Sequence, residues 1–570
     1  MDACKECPYP GCLFCLMKEN VAPSKRRSSI AQLFKQLPER DEPGQVMAIS
    51  GLWNAALLRP TDGEFIELGI FECMAALIFK GIRDRKWLAS DQNIFIPYYA
   101  AHIIGSYTMI VEEFAIRAVQ AKVIPALLEL LKGKLTWVEQ RVALRALGHL
   151  ATYESTFSYI LDCREILDVA MKLAADALDI VYTQFYRFVD RRLEYHQDLL
   201  TRGLGGVEME SRKAEEWASQ LQCWSLQLIN CFAFREEYLA VVCGNKEFLC
   251  KLLGMWGGLV NESSPAGIGL LRSICRESSG RVAVADCPGV VNGLCNVARS
   301  SDDWQYMAVD CLVWLVQDVA SRHKVLDQAA CALVDLTELS TMSGDQKKLG
   351  DLIATTLLRN PAEQSQALET RLALNEVAAA QQRMKLERDE DKDDLRIRKA
   401  AAMLLRLEGN ARFASGDIHG AACKYTEALE LCPLKAKKQR ASIYSNRAQC
   451  HLLSQNNQAA ISDSTRALCL QKTHRDSLWR RAQAYEMEGL PKESLLDGIM
   501  YMIECSQKKN RKSNVPDYIE ALIKKQMRAT WLFKEASQKW GAIEYRYRNW
   551  NDNQSSSHDE SEWETASDDS

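Results

Sequence analysis

The sequence lacks any apolar run of the roughly 18 residues that a membrane-spanning helix needs, so no transmembrane segment is expected. It shows no secretory signal at its N-terminus, and its twenty cysteines are therefore expected to stay reduced in a cytosolic or nuclear setting. Cys223, Cys231, Cys295 and Cys311 fall within helical patterns and read as small buried hydrophobes. Neither sign of charge is in excess: 71 Lys and Arg face 75 Asp and Glu, which removes a bulk attraction to nucleic acid or to an anionic membrane. A basic stripe interleaved with aromatics is also missing, and nucleic-acid binding is set aside on that ground. Catalytic signatures are absent too. There is no H-E-x-x-H, Walker loop, dinucleotide fingerprint or nucleophile elbow, so no enzyme is expected.

What the chain does have is length and helical periodicity. At 570 residues it exceeds what one hydrophobic core usually supports, and two or more domains are expected. From Ala402 a 34-residue helical unit recurs, its copies beginning at Ala402, Ala441 and Arg475. The first copy carries Gly409, Gly416, Ala421, Tyr425, Ala428 and Pro433; the second repeats small contacts at Ala448, Ala460 and Ala467; the third has Ala482, Tyr485 and Gly489, with Ser494 where alanine is usual. Helices approach closely only where side chains are small, so each copy reads as an antiparallel pair and the copies as a curved stack with a concave face. This pattern resembles the tetratricopeptide repeat (TPR).

A longer period runs from about residue 41 to 358. In VIPALLELLKGKLTWVEQRVALRALGHLA, Val123 to Ala151, Ile124 and Pro125 open a helix, Lys132 to Lys134 break it, and Val138 to Ala151 pack back. Small anchors follow at Ala143, Ser225, Gly267 and Ala308, spaced by one double and two single periods of the armadillo or HEAT class. The segment resembles an armadillo repeat. Armadillo domains that carry nuclear-import cargo use an asparagine and tryptophan ladder, but the ladder positions here hold His149, Ser273 and Trp314, which argues against extended basic peptides as ligands. Tyr182 to Trp217, aromatic and charged, reads as an irregular insertion folding over the groove and as a candidate binding element. Its Gly203, Gly205 and Gly206 lack the context of a phosphate loop.

The fold class expected is thus all-α, two α-solenoids in series. Residues 1–40 read as a disordered, cysteine-rich and basic segment, 41–358 as the armadillo/HEAT-like domain, 359–401 as a charged connecting helix, 402–508 as the TPR domain, 509–545 as a capping helix, and 546–570 as an acidic disordered tail. Cys4, Cys7, Cys12 and Cys15 form two C-x-x-C pairs. Three readings stay open for them: a structural zinc, S-acylation of CPYPGCLFCLM beside the basic Lys25, Arg26 and Arg27, or a tail of reduced thiols.

TPR domains that hold the C-terminal carboxylate of cytosolic heat-shock chaperones of the 70 and 90 classes carry a clamp. It is Lys-x-x-x-Asn in the first repeat, Asn in the second and Lys-x-x-x-Arg in the third. This sequence is similar, with Arg406 and Asn410 in RLEGN, Asn446 in YSNRA, and Arg480 in DSLWR. Residues four apart share a helix face, and guanidinium and amide donors suit carboxylates. The departure is Asp476, which stands where the family has lysine and four residues before Arg480, spaced to neutralise it. Lys472 and Arg475 lie close enough in sequence to compensate.

A clamp-like TPR module joined to an armadillo-like domain resembles myosin-directed co-chaperones, with the modules in reverse order. That order is closer to plant armadillo- and TPR-repeat proteins, which CLFCLMKE and DWQYMA also resemble. The resemblance implies an adaptor whose TPR groove holds a chaperone C-terminus while the armadillo groove holds a client. The competing reading is a chaperone-independent scaffold linking a ubiquitin or trafficking complex.

Overall fold

Thr136 and Glu139 close a capping box. The Thr136 hydroxyl accepts from the Val138 N–H, and the Glu139 carboxylate accepts from the Thr136 N–H at 3.0 Å. The box starts the helix Trp137–Thr152 just after Gly133, whose φ of 76° follows the preceding helix, Val123–Leu131. The resulting antiparallel pair is the unit that stacks. The structure, a computed structural model, describes residues 13–16, 22–41, 44–161, 165–181, 183, 206–255, 267–301, 304–339, 349–359, 367–506 and 517–529. Among the described residues it has helices and turns and no strand.

The chain enters through α1 (Pro23–Gln36). An inner row of helices then packs each against the next: α2 (Gln45–Leu58), α3 (Ile96–Thr108), α4 (Trp137–Thr152), α5 (Gly206–Ala233), α6 (Gly267–Arg276) and α7 (Gln305–Gln317). The helices Ile70–Arg83, Val123–Leu131, Glu165–Val181 and Pro288–Arg299 back this row, and α8 (Val319–Val334) closes it. Ala143, Ser225, Gly267 and Ala308 lie on α4, α5, α6 and α7 and all are buried. The need for small size is plain at Gly267, where a Cβ would fall 1.7 Å from the Leu252 carbonyl oxygen.

Two long helices follow, α9 (Leu368–Asp389) and α10 (Lys392–Ala414), the second running straight into the TPR module. There α10 pairs with α11 (Ile418–Leu431), α12 (Lys437–Leu453) with α13 (Asn457–Leu470), and α14 (Arg475–Met487) with α15 (Pro491–Ser506). Helix α16 (Asp517–Ala529) covers α15 with Ile519, Leu522 and Ile523. The small TPR positions are close contacts: a Cβ on Gly409 would sit 2.6 Å from Tyr425 Cε1. Ser494 fits its alanine position by donating its hydroxyl to the Ala482 carbonyl at 2.8 Å.

The two solenoids meet through buried arginines. Arg481 on α14 grips both oxygens of Asp497 at 2.7 and 2.8 Å, and also donates to the Arg299 carbonyl and to Ser301 Oγ, both on the armadillo side. Arg466 on α13 bridges Asp335 and Glu376, and Arg440 pairs with Glu338. The Cys469 thiol adds a contact to the Asp335 carbonyl.

Three segments differ from the sequence expectation. Residues 1–40 are not disordered throughout: Pro23–Gln36 is helical and buries Ile30, Leu33 and Phe34 in the armadillo core. Arg26 and Arg27 are held there by Glu64 and Glu67 instead of standing free as a basic patch. The insertion is regular from Gly206, where it becomes the first part of the 28-residue α5. The connecting segment is two helices divided at Glu390, and α9 is not wholly solvated, since Thr370, Ala373 and Val377 are buried where it packs on α8. Cys4, Cys7, Cys12 and the acidic tail lie outside the described residues, while Cys15 is on the short helix Leu13–Leu16.

Candidate functional site: the TPR groove and the armadillo inner face

The first helices of the three TPR units, α10, α12 and α14, lie side by side, and each sequence-predicted groove residue sits on one of them. Gly409 lets the Tyr425 ring press against α10, which brings the Tyr425 hydroxyl to Asn410 Oδ1 at 2.8 Å. The same oxygen accepts from Asn446 Nδ2 at 3.0 Å. With its oxygen accepting twice, Asn410 retains its two amide N–H groups as donors. Asn410 and Asn446 are therefore oriented before any ligand arrives.

Arg480 donates to Ser445 Oγ and, at 3.1 Å, to Gln449 Oε1. Both acceptors are neutral. Burial lowers the Arg480 guanidinium from its ordinary value, and the field of Asp476 opposes that shift. Asp476 itself is exposed, and among the described residues it makes no ion pair with Arg480. Arg406 is half-buried, with a buried Nε that has no hydrogen-bond partner. The fields of Arg480 and Arg406 both reach the Tyr425 hydroxyl, beside the Asn410 and Asn446 amides, and neither cation contacts a carboxylate among the described residues. Tyr425, Ser445 and Gln449 complete the site. Sequence reasoning treated Tyr425 only as packing and missed the other two, although the 31- and 35-residue separations of Gln449 and Ser445 from Arg480 are about one TPR period.

On the armadillo inner face, arginines alternate with aromatic rings. Arg141 lies 4.1 Å over Trp217 and donates to the Tyr98 hydroxyl at 3.0 Å; Tyr98 and Trp217 stack at 5.8 Å. Arg145 lies 5.6 Å over Trp224, and Arg272 contacts Tyr306 and Trp314 while pairing with Asp310. His149, one of the ladder positions, is buried, donates its Nδ1–H to the Gly105 carbonyl at 2.8 Å, and is held down to about 3 by desolvation and by Arg145. A ladder of arginine and aromatic side chains thus runs along these helices, with Tyr98, Arg141, Arg145 and Trp217 themselves buried.

Comparison with known proteins agrees with this architecture. Residues 4–244 match the family model described as a plant ARM repeat. The first part of the chain is thus similar to plant armadillo-repeat segments. Curated relatives match shorter stretches: protein unc-45 homolog B of Danio rerio is 40% identical over 85 residues, 15% of this chain and 9% of that protein. Sperm-associated antigen 1A of Danio rerio is 39% identical over 85 residues, 14% of this chain and 20% of the relative. Mitochondrial import receptor subunit TOM70 of Rattus norvegicus is 33% identical over 96 residues, 17% of this chain and 16% of the relative. The matches thus span a fifth or less of these relatives' length.

Proposed function

We propose that this armadillo–TPR protein is an adaptor whose TPR groove binds the acidic C-terminal peptide of cytosolic heat-shock chaperones of the 70 and 90 classes, while its armadillo inner face holds a client protein. The observation that carries the reading is the convergence of Arg406, Asn410, Asn446 and Arg480, donors without a carboxylate contact of their own among the described residues. Charge-assisted hydrogen bonds from such groups suit a terminal carboxylate and a neighbouring acidic side chain. One relative is named as an import receptor subunit, a binding role in keeping with this reading. The proposal carries a cytosolic setting with it, where these chaperone classes work.

A second reading, a chaperone-independent scaffold within a ubiquitin or trafficking complex, is favoured by Asp476, an exposed acid at the position where the clamp family has a cation. Beads carrying the full chain distinguish the two. Retention of purified chaperone, competed by a free C-terminal peptide, supports the adaptor. No retention at concentrations that saturate a known clamp protein rules it out.

A further inference from the structure

Helix α1 carries a sequence with no part in the TPR groove, Arg26-Arg27-Ser28-Ser29-Ile30. Two arginines, a spacer, a serine and an apolar residue make the acceptor pattern of basophilic serine kinases, which choose substrates by charge and seat the arginines on carboxylates of their own. In the structure those arginines already sit on carboxylates. Arg26 donates to both oxygens of Glu64 at 2.9 and 3.0 Å, and Arg27 to Glu67 at 2.6 Å. Ile30 is fully buried, and Phe34 meets the ring of Phe65, next to Glu64, edge-on at 5.8 Å. Docking thus occupies every group of the pattern except the serines, Ser28 being exposed and Ser29 half-buried. The hold is light all the same. Ion pairs near the surface contribute little each, and on α1 itself the buried side chains are Ile30, Leu33 and Phe34.

We propose that Ser29 is a phosphorylation site for a basophilic serine kinase, closed while α1 is docked and open when α1 lifts off. A kinase must bring the acceptor hydroxyl into line with the γ-phosphate of ATP, and a helix seated on Glu64, Phe65 and Glu67 keeps both the arginines and Ile30 from its cleft. In the reaction Ser29 Oγ bonds to the γ-phosphorus, the bond to the bridging oxygen breaks, ADP leaves, and the hydroxyl proton passes to the kinase's catalytic carboxylate. The product no longer fits the docked position. Its phosphate brings up to about two negative charges. Three residues from Arg26 it shares that helix face, where it competes with Glu64 for the guanidinium and repels Glu64 and Glu67. Phosphorylation therefore holds α1 off the armadillo core and uncovers the apolar surface beneath Ile30 and Phe34. This switch is independent of what the TPR groove binds.

The full chain, incubated with ATP and the catalytic subunit of a cyclic-AMP-dependent kinase, provides the test, with the site mapped by mass spectrometry and the docking of α1 followed by hydrogen exchange over residues 23–36. Wild type is expected to be modified slowly at Ser29, Glu64→Gln with Glu67→Gln roughly five-fold faster, and Phe34→Ala, which loosens α1 but keeps both glutamates, faster as well. The phosphorylated chain should lose protection across α1, and Ser29→Ala should take up no phosphate in this helix. No phosphate on Ser29 in the double variant, phosphate on Ser28 in its place, equal rates in wild type and the variants, or a phosphorylated chain with α1 as protected as before would each overturn the proposal.

Discussion

Arg480 stands one helical turn beyond Asp476, yet its guanidinium turns away from that carboxylate to Ser445 and Gln449 on the neighbouring helix. The acid is left in solvent, where it acts on Arg480 through its field alone. A cation already seated on neutral acceptors can exchange them for a ligand carboxylate without first breaking an ion pair, so under the proposed function Asp476 is expected to weaken an acidic ligand without blocking it.

Gly409→Ala is expected to loosen the groove from behind. The added Cβ displaces the Tyr425 ring, and with it the hydroxyl that orients Asn410. Overpacking of this kind costs about 1–3 kcal/mol. Chemical denaturation followed by fluorescence measures it.

Arg481→Leu is expected to cost more, about 3–5 kcal/mol, because Asp497 is left fully buried without its cation and the link to Arg299 and Ser301 is lost. Adding Asp497→Leu should recover part of the loss. A single variant as stable as wild type would show that the junction contributes little.

Stability should fall in mild acid. His149 is neutral in the fold, its proton affinity lowered to about 3, and His102 is lowered as well, by burial and by Arg145 and Arg141. The unfolded chain takes up a proton at each near pH 6.5, so their contribution is complete above that pH and is lost as the pH falls below it, for His149 down to about 3. His149 alone costs about 1.4 kcal/mol per pH unit in that window. His149→Gln, compared with wild type by denaturation at pH 7.5 and 5, should have the flatter profile.

The helix pairs were legible in the sequence because size constraints there are local: Gly409, Ala421 and Tyr425 fall within one repeat, and Lys132 to Lys134 interrupt an otherwise continuous apolar pattern. The arginine and aromatic ladder was not, since Tyr98, Arg141 and Trp217 come from three helices and only stacking sets them against one another. Helix α1 was hidden by its company. A basic opening beside clustered cysteines suggested a loose tail, while the residues that fix it, Glu64 and Glu67, lie about 40 positions on. The spacing of Asp476 and Arg480 pointed to an ion pair, and the nearby Ser445 and Gln449 changed that outcome.

Titration calorimetry of the full chain with an acidic chaperone-tail peptide, as free acid and as C-terminal amide, tests the central claim most directly. Each charge-assisted bond lost should cost about 1.5–3 kcal/mol, roughly ten-fold or more in affinity. The free acid should therefore bind at least ten-fold tighter than the amide, Asn446→Ala should lose that binding with helix content unchanged, and Asp476→Lys should tighten it. Equal binding of the two peptide forms, or no binding by either wild type or Asp476→Lys, would contradict the account.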